Sequence, residues 1–165
     1  MLGKDVLNLA FIFALHMHYD QYEITPGDTA LVYEFVSQGP KGDVKKVVMY
    51  SQTGITNLFN LGFGDQNEVT GEMDDRVVTN NGDSAKVLAT VASTVYLFTN
   101  LFPNALIGAA GSTPGRTRLY RIMISNNLET IRRDFEVYGF LDGDWQTFSV
   151  DTNYSAFLLS RKSKS

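Results

Sequence analysis

The residues best suited to chemistry lie in one stretch, Ala109-Ala110-Gly111-Ser112-Thr113-Pro114-Gly115-Arg116-Thr117-Arg118-Leu119-Tyr120-Arg121. It reads as the end of a small-residue strand, a tight turn and the start of a helix. Ser112 or Thr113 suits the N-cap, and Pro114 then sits at the first helical position, where its missing N–H costs nothing. Three arginines follow within two turns. Cations near a helix N-terminus oppose the macrodipole, by about 0.3–1 kcal/mol each when exposed. A sequence that breaks a local rule in this way calls for a compensating partner.

Two partners fit. One is an external anion, because helix N-termini bind phosphate and carboxylate. In that reading the backbone N–H groups from Gly111 to Gly115 converge on a phosphate with the Ser112 and Thr113 hydroxyls, Thr117 and Arg116. At 100° per residue Arg118 and Arg121 stand about 60° apart and share a helix face. The other partner is the chain's own acidic stretch, Asp65, Glu68, Glu72, Asp74 and Asp75, which would make the arginines internal struts. The residues leave both open. A nucleotide-binding phosphate loop is absent, since no Gly-x-x-x-x-Gly-Lys-Ser/Thr pattern occurs. Gly62-Phe63-Gly64 is only half of a dinucleotide fingerprint and precedes an acidic turn rather than a helix, so it reads as a strand end.

Composition narrows the chemistry further. The 165 residues suit one domain with a real core. Eleven Phe and eight Tyr argue against disorder. A net charge of −4 argues against a broad nucleic-acid surface, though not against a local basic site. With no Cys there are no disulfides, thiolate ligands or Cys nucleophile, which fits a reducing compartment. The two histidines, His16 and His18, sit near the start, which argues against His-based metal sites and acid–base catalysis in the main domain. The acidic stretch matches no EF-hand spacing and reads as solvated turns or salt-bridge partners, with no metal site called for. Glu72 with Asp74 or Asp75 could form an acid–base pair, but nothing beside them supplies a nucleophile. No cofactor is implied.

Several elements must position the candidate loop. Val6 to Leu15 is an apolar run, too short for a membrane span and without a cleavage site. Residues 1–16 read as a dispensable extension or mis-assigned start before Met17, or else as a short helix packed on the domain. The domain then occupies 17–165. Ala30–Val36 and Val44–Tyr50 read as a hairpin around the Gly/Pro loop Ser37–Asp43. Asn57–Phe63 alternates as a third strand, with Gly64–Asn67 turning it back into a fourth between Val69 and Thr79. After Asn80-Asn81-Gly82, Asp83 or Ser84 can cap a helix whose apolar stripe is Leu88, Val91, Val95, Phe98 and Phe102. Pro103 ends it, and Ala105–Ala110 is a short central strand. The Arg-bearing helix runs from Pro114 to about Ser125. Asn126 and Glu129 have capping-box spacing before a short helix with Leu128, Ile131 and Phe135 on one face. Val137–Leu141, Asp142-Gly143 and Trp145–Phe148 form a hairpin, Tyr154–Leu159 is the last strand, and Arg161–Ser165 is a solvated tail. The order predicts an α+β fold, a largely antiparallel sheet with helices on one face. The aromatics Tyr33, Phe35, Phe59, Phe63, Tyr138, Phe140, Trp145 and Phe148 could stack bases on an open sheet face, but their alternation is also that of a core, and core is the favoured reading.

Three motifs carry a resemblance: Tyr33-Glu-Phe-Val-Ser-x-Gly-Pro-Lys-Gly42, Asn81-Gly-Asp-Ser-Ala-Lys-Val-Leu-Ala-Thr-Val-Ala92 and Gly111-Ser-Thr-Pro-x-Arg-Thr-Arg-Leu-Tyr-Arg121. With Phe135-Glu-x-Tyr-Gly-Phe140 they resemble a family of small bacterial proteins known only as a domain of unknown function, over about residues 19–162. The resemblance implies a bacterial cytoplasmic protein and no activity. The residues therefore carry the functional expectation: a binding domain that takes a phosphate-bearing ligand, a nucleotide or nucleic-acid end, through Ser112, Thr113, Arg116, Arg118 and Arg121. The alternative is a non-enzymatic module that meets another protein, such as one encoded nearby, with the arginines as struts. A carboxylate-and-arginine hydrolase comes third. No membrane partner is expected, and oligomeric state is open.

Overall fold

Alternation of large apolar and polar residues builds the first half of the sheet. The computed structural model describes residues 19–74 and 79–163, so expectations for Met17, His16, His18, Asp75 and residues 1–16 lie outside the described residues. A two-residue strand β1 (Thr25–Pro26) pairs with β2 (Val32–Gly39). In β2, Tyr33, Phe35 and Ser37 point inward while Glu34, Val36 and Gln38 face out. β2 turns through Pro40-Lys41 into β3 (Gly42–Gln52), with Gly42 at φ +84°, a left-handed conformation glycine adopts without strain. β3 pairs with β4 (Leu58–Gln66), placing Val48 and Tyr50 opposite Phe63 and Leu61 in the core.

β4 runs on through Gly64 and Asp65 instead of turning there. The turn comes at Asn67, whose side-chain oxygen accepts from the N–H groups of Val69 and Thr70. The expected fourth strand is reduced, among the described residues, to β5 (Met73–Asp74), paired with β4 at Gln66 and Asp65.

Helix α1 (Ser84–Leu101) then crosses to β6 (Leu106–Ala109), which lies parallel to β4. Every residue from Val87 to Thr99 is buried, so the expected apolar stripe is too narrow. The hydroxyls of Thr90, Ser93, Thr94 and Thr99 bond backbone carbonyls three or four residues earlier, which lets polar residues turn inward at little cost. Helix α2 (Pro114–Asn126) packs on α1, and a short α3 (Leu128–Asp134) leads into β7 (Phe135–Leu141). Phe135 leaves the helix to open the strand. Asn126 makes no capping box; Asn127 occupies the cap position and its amide instead donates to Met123 O.

β7 and β8 (Asp144–Thr147) form the expected hairpin. Asp142 at φ 51° and Gly143 at φ 82° fit the primed turn that matches strand twist. The last strand, β9 (Ala156–Arg161), inserts between β6 and β7. Arg161 is thus part of the sheet, not the tail. Its guanidinium bonds Thr99 Oγ1 at 2.9 Å and lies over the rings of Tyr96 and Phe135. The strand order is β1-β2-β3-β4-β6-β9-β7-β8, mostly antiparallel, with the helices contributing to one core: an α+β fold. Among the described residues no helix is long and apolar enough to cross a membrane.

Candidate functional site

Unequal strand lengths open a notch in this sheet. β4 has nine residues and its parallel neighbour β6 only four. Their pairing stops at Asn60 opposite Gly108, and β5 rejoins β4 only at Asp65. Between these points the outer edge of β4 has no strand partner, yet its carbonyls must still be bonded. Helix α2 supplies the donors. The Tyr120 hydroxyl donates to Leu61 O at 3.2 Å, and Arg116 Nη2 donates to Phe63 O.

The loop after β6 is built to bring α2 close. A Cβ on Gly111 would lie 2.2 Å from Thr117 N and 2.4 Å from Arg116 Cβ, so no side chain fits there. Gly111 N–H donates to Thr117 Oγ1 at 3.1 Å. Thr113 is the N-cap, its hydroxyl oxygen accepting from Arg116 N–H at 3.2 Å, and Pro114 follows at the first helical position.

Arg116 is 8% exposed and its guanidinium sits 5.1 Å above the Phe63 ring. Nη2 is bonded, but Nη1 is buried without a hydrogen-bond partner. Among the described residues four buried side-chain atoms lack a partner: Gln21 Nε2, Asn100 Nδ2, Asn127 Oδ1 and Arg116 Nη1. Only the last is charged, and leaving a charged donor unsatisfied costs more than leaving a neutral one. Arg116 lines a cavity of about 90 Å³ in the notch, beside Gly111, Ser112, Gly62, Met49 and Met73. That is room for roughly three waters at about 30 Å³ each, or for one tetrahedral oxyanion. Among the described residues lining the cavity there is no carboxylate. The cavity lies beyond the carboxyl end of β6, beside the middle of β4 and at a helix N-terminus, where backbone N–H groups and the dipole favour an anion.

The expected site residues divide. Gly111, Ser112 and Arg116 meet at the cavity. Thr113 and Thr117 build the helix start, Thr117 Oγ1 bonding both Gly111 N and Thr113 O. Arg118 is exposed, and Arg121 donates to Asn153 Oδ1. The three arginines do not converge. The helical wheel pairs Arg118 with Arg121, whereas the edge of β4 selects Arg116.

The acidic stretch does not serve the arginines at its Asp65 end. Lys46, fully buried, pairs with Asp65 and also donates to Thr79 O at 3.1 Å, while Asp65 Oδ2 accepts Thr79 N–H at 3.0 Å. Sequence reasoning missed Lys46, although its two-residue spacing from Val48 and Tyr50 puts it on their inward face. Glu68 and Glu72 are exposed. No group of three or more His, Cys, Asp or Glu able to hold a metal occurs among the described residues.

Asp83 has a second missed role. It makes no side-chain cap on α1. Its carboxylate accepts from Ser37 Oγ at 2.5 Å and Tyr22 OH at 2.6 Å, and the Asn81 amide donates to Gly42 O at 2.8 Å. Burial, then the bond to Asp83, raises the Tyr22 pKa. These contacts tie the β2–β3 hairpin to the start of α1. Ser37 is fully buried, so the cluster serves the fold.

A larger open groove of about 560 Å³ lies between the end of α1 and β9, beside Thr99, Asn100 and Arg161. Arg161 is already bonded there, and the unpartnered Asn100 amide is neutral. The smaller notch therefore carries the stronger chemistry. No curated protein and no solved structure matches the chain. The family model described as "Family of unknown function (DUF6934)" matches residues 18–162, nearly the whole chain, and the protein belongs to that family.

Proposed function

We propose that the protein is a binding domain that captures a phosphate-bearing ligand, a nucleotide or nucleic-acid end, by its phosphate in the Arg116 notch. The observation that carries this reading is Arg116 Nη1: a buried cationic donor without a partner, beside a cavity of about 90 Å³ with no carboxylate among its described lining. A phosphate oxygen there would complete the guanidinium's bonding, and the N-terminus of α2 would add its dipole. Ser112, exposed at the rim, offers a hydroxyl.

Phosphate should raise the melting temperature of the wild type. A ligand at a hundred times its Kd stabilises a native state by about 2.7 kcal/mol. For a chain of this size that is roughly 5–11 °C, at about 2–4 °C per kcal/mol. Ser112→Glu supplies a tethered carboxylate at the rim. It should remove the phosphate response while the fold persists. No response of the wild type to phosphate, pyrophosphate or nucleotide, with sodium chloride as the ionic-strength control, overturns the reading. The second reading, an interaction module with arginine struts, is favoured by one contact, Arg121 to Asn153, which braces α2 without facing the notch.

A further inference from the structure

The notch opens beside the sheet face that the helices leave uncovered. Cross-strand pairing sets Ser51, Asn60, Gly108 and Leu158 in one row on that face, with Met49 and Gly62 in the next. Their neighbours along the strands, Tyr50, Leu61, Ile107 and Leu159, point into the core. Two of these outward positions are glycines in strand interiors, where glycine weakens a strand. Neither has a positive φ. A Cβ on Gly108 would meet Leu58 Cδ1 at 3.7 Å and Phe59 O at 3.8 Å, which is ordinary contact. A Cβ on Gly62 would meet only the flexible end of Met73, at 3.4 Å. Among the described residues neither a positive φ nor a tight contact requires glycine at these two positions, and close approach of another group is a physical reason for glycine in a strand interior.

The surroundings specify the ligand. Asn60 and Ser51 are exposed, with side chains that make no hydrogen bond among the described residues. They offer donors and acceptors at the edge of a flat floor. Met49 provides a thioether beside it, which favours aromatic rings. Ala110, at the cavity, lies two strand residues past Gly108, roughly 6.6 Å along the chain. Resting on the Arg116 reading, the geometry points to a nucleoside 5′-monophosphate: phosphate in the notch, heterocycle flat over Gly108 and Gly62, its polar edge toward Asn60. The same group occurs on a free mononucleotide and at the 5′ end of a nucleic-acid strand.

The test is calorimetric titration of the full chain with inorganic phosphate, glycerol phosphate, purine and pyrimidine 5′-monophosphates, and a 5′-phosphorylated trinucleotide. At least one nucleoside 5′-monophosphate should bind about tenfold or more tighter than phosphate or glycerol phosphate, as expected for a base stacked on a protein surface. Gly108→Val, at a position whose neighbours admit a Cβ, should bring the nucleotide-to-phosphate ratio close to one. A trinucleotide that matches or exceeds the mononucleotide assigns the source as a strand end; a weaker one assigns a free nucleotide. Phosphate binding with no nucleotide advantage, or an advantage that survives Gly108→Val, overturns the proposal and leaves the Arg116 reading standing. Failure of every ligand to bind removes the Arg116 reading first.

Discussion

Replacing Arg116 by Met separates a residue kept for a ligand from one kept for the fold. The substitution removes the charged donor to Phe63 O, a loss of about 1.5–3 kcal/mol. It also removes the guanidinium over the Phe63 ring, about 0.5–1 kcal/mol. Against this, it relieves an unsatisfied buried donor whose desolvation costs about 1–3 kcal/mol. Met keeps most of the apolar volume. The balance is a loss of about 1 kcal/mol, or roughly 2–4 °C in Tm for a chain of this length. A fully paired buried ion would behave differently, since deleting one partner costs about 3–5 kcal/mol, roughly 6–20 °C. Urea denaturation and thermal melting with and without phosphate give both numbers. The expected result is a small change in stability and complete loss of the phosphate shift. A loss above about 3 kcal/mol, or a phosphate shift that persists in Arg116→Met, refutes the reasoning.

Two further outcomes test how the rest of the structure is held. Asp65→Ala strands the fully buried Lys46 ammonium and should cost about 3–5 kcal/mol, whereas the double variant Lys46→Met, Asp65→Leu should recover most of it; a loss below about 1 kcal/mol in urea denaturation would show that the pair is hydrated. Stability should fall with alkali above about pH 10, the ordinary tyrosine value. Burial pushes the Tyr33 hydroxyl up to about 12 and raises those of Tyr50 and Tyr96, so the native state holds these protons where the unfolded chain releases them. The stabilisation is complete below pH 10 and is lost as pH climbs toward about 12, measurable as Tm against pH, with tyrosinate absorbance rising together with unfolding. Tyrosinate absorbance of all eight tyrosines near pH 10 in a still-folded protein contradicts the burial of these rings.

Local chemistry was legible where one short stretch decides the outcome. Asp142-Gly143 specifies its hairpin because both residues tolerate positive φ. Thr113-Pro114 specifies the start of α2, since a hydroxyl caps it and proline lacks the donor a first turn cannot use. Hydrophobic patterning found α1 but not its depth. Its threonines and serine look like a polar face until their hydroxyls are seen bonding the preceding turn. Alternation with Val48 and Tyr50 turns Lys46 inward, but the carboxylate that makes this tolerable was out of view. Its partner Asp65 lies 19 residues away, on a strand whose extent past Gly64 depends on the Asn67 turn.

The notch shows why a helix read in isolation does not place its own arginines. Arg118 and Arg121 share a face by helical geometry, and that is all a wheel can state. Which arginine matters is fixed by the lengths of two strands almost fifty residues apart in the chain. Had β6 been as long as β4, its N–H groups would have taken the carbonyls of Leu61 and Phe63. The sheet would then be continuous, and Arg116 would have no reason to reach inward. Because β6 stops at Ala109, α2 must finish the edge with side chains, and a guanidinium carries more donors than one carbonyl accepts. Nη1 is left over, and the proposed site rests on it. The readable signature is the conjunction of a four-residue strand, a glycine with no room for a Cβ at 111, and an arginine in the first helical turn. Each is ordinary alone. Together they place a cation beside the carboxyl end of β6 and the unpaired edge of β4.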